Sequence, residues 1–530
     1  MLVTEHRSHA DLLSGVFGSR YEFDEGQHHI AVRTRDARRV LGVLRQDLGY
    51  TLLSSVALVT TRGHEHLQGD ESTHWDLTLN LLNLEEHQRC QVHVLLGAGE
   101  ELPDLEGLYP GLAKSLQRAR AEAEGPAPVP LVLPRVRRNP NLSEAPYPEE
   151  LNQWYLFDLA HPLTRHQWEL AVEAFDGKVQ NTIFQSGYWR RGLSAKAPQL
   201  HLRSLAPLLD VVMPAAAPFV NVTWAKGLED FFRWEIPERA QALRMVFIEL
   251  SRLGAHLELL ARMAEELQIT EAAQLCREGG ERIKQAFEFY SGARVTTNLA
   301  TFGGMPHDLP PGWVQEAFSL LRSVESVLVQ YLRLLTQNPL ARRRLQVAGI
   351  SGQTALGLGL TGPVLRAAGV NFDLRKAEPF YFYRDVDFEV PVGLRGEAHD
   401  RLLILLEESH QSLRILWQLL DHLPLGAVAL DDDFLVRLNS FSLAEADWRE
   451  RVQSARRPWC SQYTALESPY GEFGFHVVFS AAGPSPWALK IKTPAEALRM
   501  GLQEILRGCP VRDLALALSS LDLSPGALDL

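Results

Sequence analysis

The chain has few cysteines. Cys90, Cys276, Cys460 and Cys509 are its only four in 530 residues, and no two form a C-x-x-C pair, so no disulfide framework, zinc site or iron–sulfur site is encoded locally. No stretch reaches the ~18 consecutive apolar residues that span a bilayer, and the opening MLVTEHRSHADLL lacks the apolar core of a signal peptide. Basic residues are outnumbered, 53 against 65 acids, for a formal net charge of -12. That balance excludes a general nucleic-acid binder, which needs a basic face to neutralise phosphates. G-x-G-x-x-G after a strand, a P-loop and H-E-x-x-H are all missing, which removes the usual signs of a free-standing nucleotide- or zinc-dependent enzyme. His64 and His66 in RGHEHL make a polar turn rather than a metal site.

At 530 residues and 46% hydrophobic composition there is material for at least two cores. Residues 1–119 alternate in type, with extended HHIAVRT, helical RDARRVLGVLRQDLG, then strand-like TLLSSVALVTT, HWDLTLNLLNL and CQVHVLLG, which predicts a small α+β domain. Prolines recur and periodicity fades over 120–150, read as a linker with a basic knot at Arg135, Arg137 and Arg138. The third region, 151–530, opens on a hairpin signal at Asp176-Gly177. It continues into long helical periods. Leu243, Val246, Phe247, Leu250, Leu253, Leu257 and Leu260 share one helix after Pro237, a second helix follows Pro310-Pro311, and a third ends before Pro424. Strand-like YGEFGFHVVFS and ALKIKT return near the end. The expected class is therefore α+β: a small amino-terminal α+β domain, then a large helical bundle flanked by β segments.

Several segments set glycines and charges where a generic core would be apolar: SGAR, GGMPHDLP, GVNFDLRKAEPF, FEVPVG and SPYGEFGFHVV. Together with HPLT, GYWRRG, IPERAQ, ELSRLGAHL, RAAGVNFDLRK and SSLD they resemble, from about His161 onward, the large subunit shared by respiratory complex I (its 49-kDa type) and the membrane-bound nickel–iron hydrogenases. The amino-terminal part is similar in position and topology to the 30-kDa-type subunit that some bacteria fuse ahead of the large one, although the E-R-E-x-x-D segment typical of that subunit is not found.

The resemblance implies a subunit that packs on a small subunit holding a [4Fe-4S] cluster and shares with it a cavity for nickel–iron chemistry or quinone reduction. Nickel–iron chemistry needs four thiolates. Alignment puts Met213, Ala216, Ser524 and Ala527 at those positions, which rules it out. For quinone reduction the family uses a histidine of an H-P-x-x-H turn and a tyrosine. Here the turn reads His161, Pro162, Leu163, Thr164, Arg165, His166, so Arg165 takes the histidine position, and Pro214 takes that of the tyrosine. Proline donates nothing. Arginine, with a pKa above ~12, is a poor proton source. The candidate cavity residues are then His161, Thr164, Arg165, His166 and Pro214, with none of the family's catalytic groups intact. GYWRRG and VVMPAAAP are expected to line the cavity floor with that turn. Arg191 matches an arginine beside the partner's cluster, His256 matches a helix histidine of the family, and Glu266 matches an aspartate coupled to the quinone-site histidine. The implied protein is peripheral at the cytoplasmic face of the cell membrane, binds no cofactor itself, is not catalytic alone, and works with membrane ion-translocating subunits and quinone. The alternative is a redox-inactive scaffold linking a soluble arm to the ion-translocating module.

Overall fold

The computed structural model describes residues 9–18, 21–24, 27–60, 75–96, 105, 107–112, 115–116, 136–138, 153–165, 167–189, 191–200, 202–295, 297–430, 459–480 and 486–524. His64, His66, Arg135, His166 and Ala527 lie outside them. The chain divides into two compact units near residue 126, and the smaller one also takes in Leu356–Gly359.

In the smaller unit, α1 (His9–Phe17) precedes β1 (Tyr21–Asp24), β2 (Gln27–Arg33), α2 (Thr34–Gln46), β3 (Leu52–Thr60), β4 (Trp75–Asn83) and β5 (Gln88–Leu96). The strands form one sheet in the order β1-β2-β5-β4-β3, with β2 and β5 parallel and the other pairs antiparallel. Ala37, Val40, Leu41 and Leu44 of α2 recur at helical spacing and are buried in the core cluster with Ile30, Leu79 and Val92 of the strands.

The larger unit begins with a four-stranded sheet, β6 (Val136–Arg138), β7 (Gln153–Phe157), β8 (Glu169–Phe175) and β9 (Lys178–Gln185), paired in that order. The segment read as linker thus contributes a strand, parallel to β7. Three residues are too few to show a period, which is why the sequence hid them. The β8–β9 hairpin turns at Asp176 and Gly177, both with positive φ (51° and 66°), the backbone of a tight two-residue turn.

The helical core follows: α3 (Ala217–Phe232), α4 (Glu238–Glu266), α5 (Thr270–Ser291), α6 (Trp313–Thr336) and α7 (Ala398–Asp421). Helices α4 to α7 close a four-membered ring in which each packs on two neighbours. Most of α4 is buried on every side, as its broad rather than striped hydrophobicity requires. The chain ends with an antiparallel sheet of β10 (Trp459–Ser468), β11 (Gly471–Ser480) and β12 (Pro486–Lys492), followed by α8 (Pro494–Leu506) and α9 (Leu514–Ser519).

A buried lattice of charge ties this unit together. Arg366 meets Glu408 at 2.6 Å and Glu467 at 2.8 Å, Arg375 meets Asp373 at 2.8 Å and Glu249 at 3.4 Å, and Arg252 meets Glu249 at 3.3 Å. Tyr383 and Ser412 also donate to Glu249, and these bonds with the two guanidinium groups outweigh burial and draw its pKa down to about 2. The RAAGVNFDLRK segment therefore owes Arg366, Asp373 and Arg375 to this lattice.

Candidate functional site

Short-range turns build one side of the site. His161 caps a single 3-10 turn, Pro162–Thr164, and its Nδ1 accepts the Leu163 N–H at 3.1 Å. Thr164 is fully buried, its hydroxyl 2.9 Å from the Asp158 carbonyl and 2.8 Å from that of His161, so it holds the turn together from inside. Arg165 then reverses the chain in the left-handed region, φ 51° and ψ 31°. A second 3-10 turn, Pro214–Ala216, leads into α3.

Helix α4 supplies the other side. Glu258, Arg262 and Glu266 follow one another at intervals of four and stack along one face of its last turns. With them stand Tyr470, from the turn between β10 and β11, and Ala515, Leu518, Ser519 and Leu521–Ser524 at the carboxyl end. His161, Pro162, Leu163, Arg165, Gln167, Trp168, Pro214 and Ala215 complete the lining of a cavity of about 540 Å³, within the usual range for a small-molecule site.

Apolar and charged groups alternate around this space. Burial, together with repulsion from Arg262, lowers the pKa of Arg165, while Glu258 and Glu266 draw it back up. The carboxyl of Glu266 is raised by burial against the pull of Arg344 and Arg165. Asp522, buried beside Arg262 and hydrogen-bonded by Ser524 at 3.2 Å, is raised for the same reason. Burial and the nearby Asp522 hold the Tyr470 phenol well above its ordinary value, so it stays an O–H donor at neutral pH. Among the described residues no group of three or more His, Cys, Asp and Glu side chains is placed to hold a metal.

Arg165, Pro214, His161 and Glu266 line one cavity, and the Thr164 hydroxyl holds the turn at 161–165 together. Two expectations fail. The described residues of GYWRRG do not line the cavity. That segment continues from β9, where Tyr188 is bonded to Glu169 at 2.6 Å, and leaves Arg191 exposed. His256 does not reach the cavity either. Its Nε2 lies 3.0 Å from the Pro469 carbonyl, with Glu408 at 3.6 Å, and burial pushes its pKa down to about 4, so the neutral ring donates to Pro469. Ser524 stands at the lining and Met213 and Ala216 are buried beneath it, where none offers a thiolate.

Residues 269–530 match the family model for the respiratory-chain NADH dehydrogenase 49-kDa subunit. The D-type subunit of NADH-quinone oxidoreductase from Methylacidiphilum infernorum is 32% identical over 403 residues, covering 74% of this chain and 95% of that protein. The chain belongs to the complex I 49-kDa subunit family. The D-type subunit from a Sulfurovum species is 31% identical over 390 residues, 70% of this chain and 93% of the relative. A C/D-type subunit from Bdellovibrio bacteriovorus, whose name joins two subunits, is 31% identical over 357 residues, 65% of this chain and 62% of that protein. Beside Arg165 and Pro214, the protic groups Tyr470 and Asp522 line the same cavity. The sequence reading missed both. Tyr470 lies in the SPYGEFGFHVV segment and Asp522 in SSLD, each legible as a motif and not as a site, because only tertiary packing brings them to the turn at 161–165.

Proposed function

We propose that this chain is a peripheral-arm subunit of a complex I-type NADH-quinone oxidoreductase, and that it forms the quinone cavity together with a small subunit holding a [4Fe-4S] cluster. One observation carries the reading. The turn at His161–Arg165, the Pro214 segment and the family's carboxyl-terminal residues line a single cavity of about 540 Å³ that mixes apolar surface with hydrogen-bonding groups, as a quinone headgroup requires. Electrons would pass from NADH through the partner's cluster to a quinone held there. Arg191, exposed next to β9, is the candidate contact with the partner near its cluster, where a fixed cation raises a cluster's potential. The small unit is the 30-kDa-type portion of a fused subunit, and the large one shares the nickel–iron hydrogenase large-subunit fold without its thiolates. No single helix among the described residues is long and apolar enough to cross a membrane, so attachment at the cytoplasmic face and the link to proton translocation rest with membrane subunits.

The rival reading, a redox-inactive scaffold, is favoured by Pro214 and Arg165, neither of which can supply a proton. A photoreactive short-chain quinone added to the intact complex decides between them. Labelling of the 161–165 turn or the 214–215 segment, competed by unlabelled quinone, together with inhibitor-sensitive NADH:quinone turnover, is the expected outcome. A complex that neither labels nor turns over is the scaffold.

A further inference from the structure

Behind the large cavity lies a second, much smaller one of about 20 Å³. Tyr470 and Asp522 line both, and no other described residue does. The volume suits a single water molecule, which needs two to four polar partners. Partners are present. Arg401 lines the small cavity fully buried, its guanidinium bonded to the Ala348 and Gly396 carbonyls and the Ser520 hydroxyl at 2.9, 2.6 and 2.9 Å, while its Nη2 meets no hydrogen-bond partner. Ser520 and Thr361 add hydroxyls, and Asp522 adds a carboxyl.

The placement of Tyr470 is unusually constrained. Arg252 donates to the carbonyls of Glu467 at 2.6 Å and Ser468 at 2.9 Å, and His256, four residues on along α4, donates to that of Pro469 at 3.0 Å. Three successive carbonyls leading into Tyr470 are thus clasped by one helix. Beyond it, Gly471 takes φ 129°, with Thr361 so close that a Cβ would come within 2.6 Å of its hydroxyl oxygen. The Glu472 N–H donates to that same hydroxyl at 3.0 Å. A chain fixed on both sides of one phenol is what general-acid chemistry needs and what packing alone does not.

The geometry points to Tyr470 as the proton donor to a quinone reduced in the large cavity, reloaded through Asp522 from the small one. This rests on the quinone reading above. Two electrons from the partner's iron–sulfur cluster reduce the quinone. The Tyr470 O–H bond breaks as an O–H bond forms on one quinone oxygen, the Asp522 carboxyl returns a proton to the tyrosinate, and water in the small cavity recharges Asp522 from solvent. The second quinone oxygen takes its proton from solvent in the large cavity. The charged groups that act on the phenol are Asp522 and Glu258, which raise its pKa, and Arg262, which lowers it.

The test uses the intact complex with NADH and a decyl-chain ubiquinone. Tyr470→Phe is expected to lower kcat by at least ~100-fold, within the range for loss of a positioned general acid, with little change in KM. The paramagnetic signal of the NADH-reduced cluster reports assembly and stays unchanged. Replacing Tyr470 with 3-fluorotyrosine keeps ring and hydroxyl but acidifies the phenol, so it alters the pH dependence of kcat without disturbing packing. A Phe variant at full rate, a change confined to KM, or a fluorotyrosine complex with an unaltered pH profile would overturn the assignment. Inactive unmodified complex would instead remove the quinone reading beneath it.

Discussion

Part of the large cavity is built by turns, at His161–Arg165 and Pro214–Ala215, and part by the last turns of α4, the Pro469–Tyr470 turn and the carboxyl-terminal segment. The turn-built part depends on local bonds, such as those from Leu163 N–H and the Thr164 hydroxyl. The helix-built part is anchored in the buried charge lattice through Arg252 and Glu249. Arg165 and Pro214, neither of which can supply a proton, stand on the turns. The groups able to give protons stand on the part that is costly to alter. Chemistry can move within a cavity when a second element already places a suitable side chain rigidly at the same space.

The contrast breaks most severely at Arg252. Its replacement by alanine leaves two carbonyls without their donor in the interior and takes from Glu249 one of its two guanidinium partners, at a cost of about 3–5 kcal/mol by analogy with other broken buried pairs. Calorimetry of the isolated arm should show its melting transition falling or its assembly lost, and an unshifted transition would mean the clasp is redundant. His256→Leu removes only the bond to Pro469 and should cost about 1–3 kcal/mol. With the turn loosened, quinone turnover falls alongside, while cluster reduction is spared. Equal loss of both would assign His256 to general stability.

Pro214→Tyr restores a phenol on the turn-built part. If Tyr470 already serves, steady-state kcat rises by less than ~10-fold; a gain of about 10²–10⁴ would show that the cavity lacked a working acid. The smallest effect concerns Asp210, which precedes the Pro214 segment and accepts a bond from Asn221. Burial raises its pKa from 3.8 to about 6. The folded state therefore binds more proton than the unfolded one between those values, and stability from this group is lost as pH rises through that window. Asp210→Asn should gain on the parent in melting temperature from about pH 4 to about pH 6 and hold a constant margin above it. A margin independent of pH throughout would place the carboxylate in a solvated setting.

Much of the fold could be read from pattern. The leucine period of α4, the Asp176-Gly177 hairpin and the strand–helix–strand order of the small unit all follow from local spacing. Val136–Arg138 was invisible because a strand of three residues between prolines has no period to show. The site was legible at Arg165 and Pro214, where a motif could be aligned. It was illegible at His256, whose partner carbonyl lies 213 residues away, and at Tyr470, whose meaning depends on Asp522 closing the same space. A tyrosine in a tight turn carries no mark of what stands across from it.

Helix α4 grips the Tyr470 turn with Arg252 and His256 and, from Glu258 to Glu266, forms part of the wall that Tyr470 helps to enclose. Grip and wall thus belong to one rod, like the jaws and the rest of a jig cut from a single bar. A slide of that rod along its axis carries the phenol and the α4 charges together and leaves their spacing unchanged. The short turns at 161–165 and 214–216 take no hydrogen bond from Arg252 or His256 and can adjust the width of the opening separately. Accommodation of a bulkier ligand falls to them, while the spacing between the phenol and the α4 charges is kept.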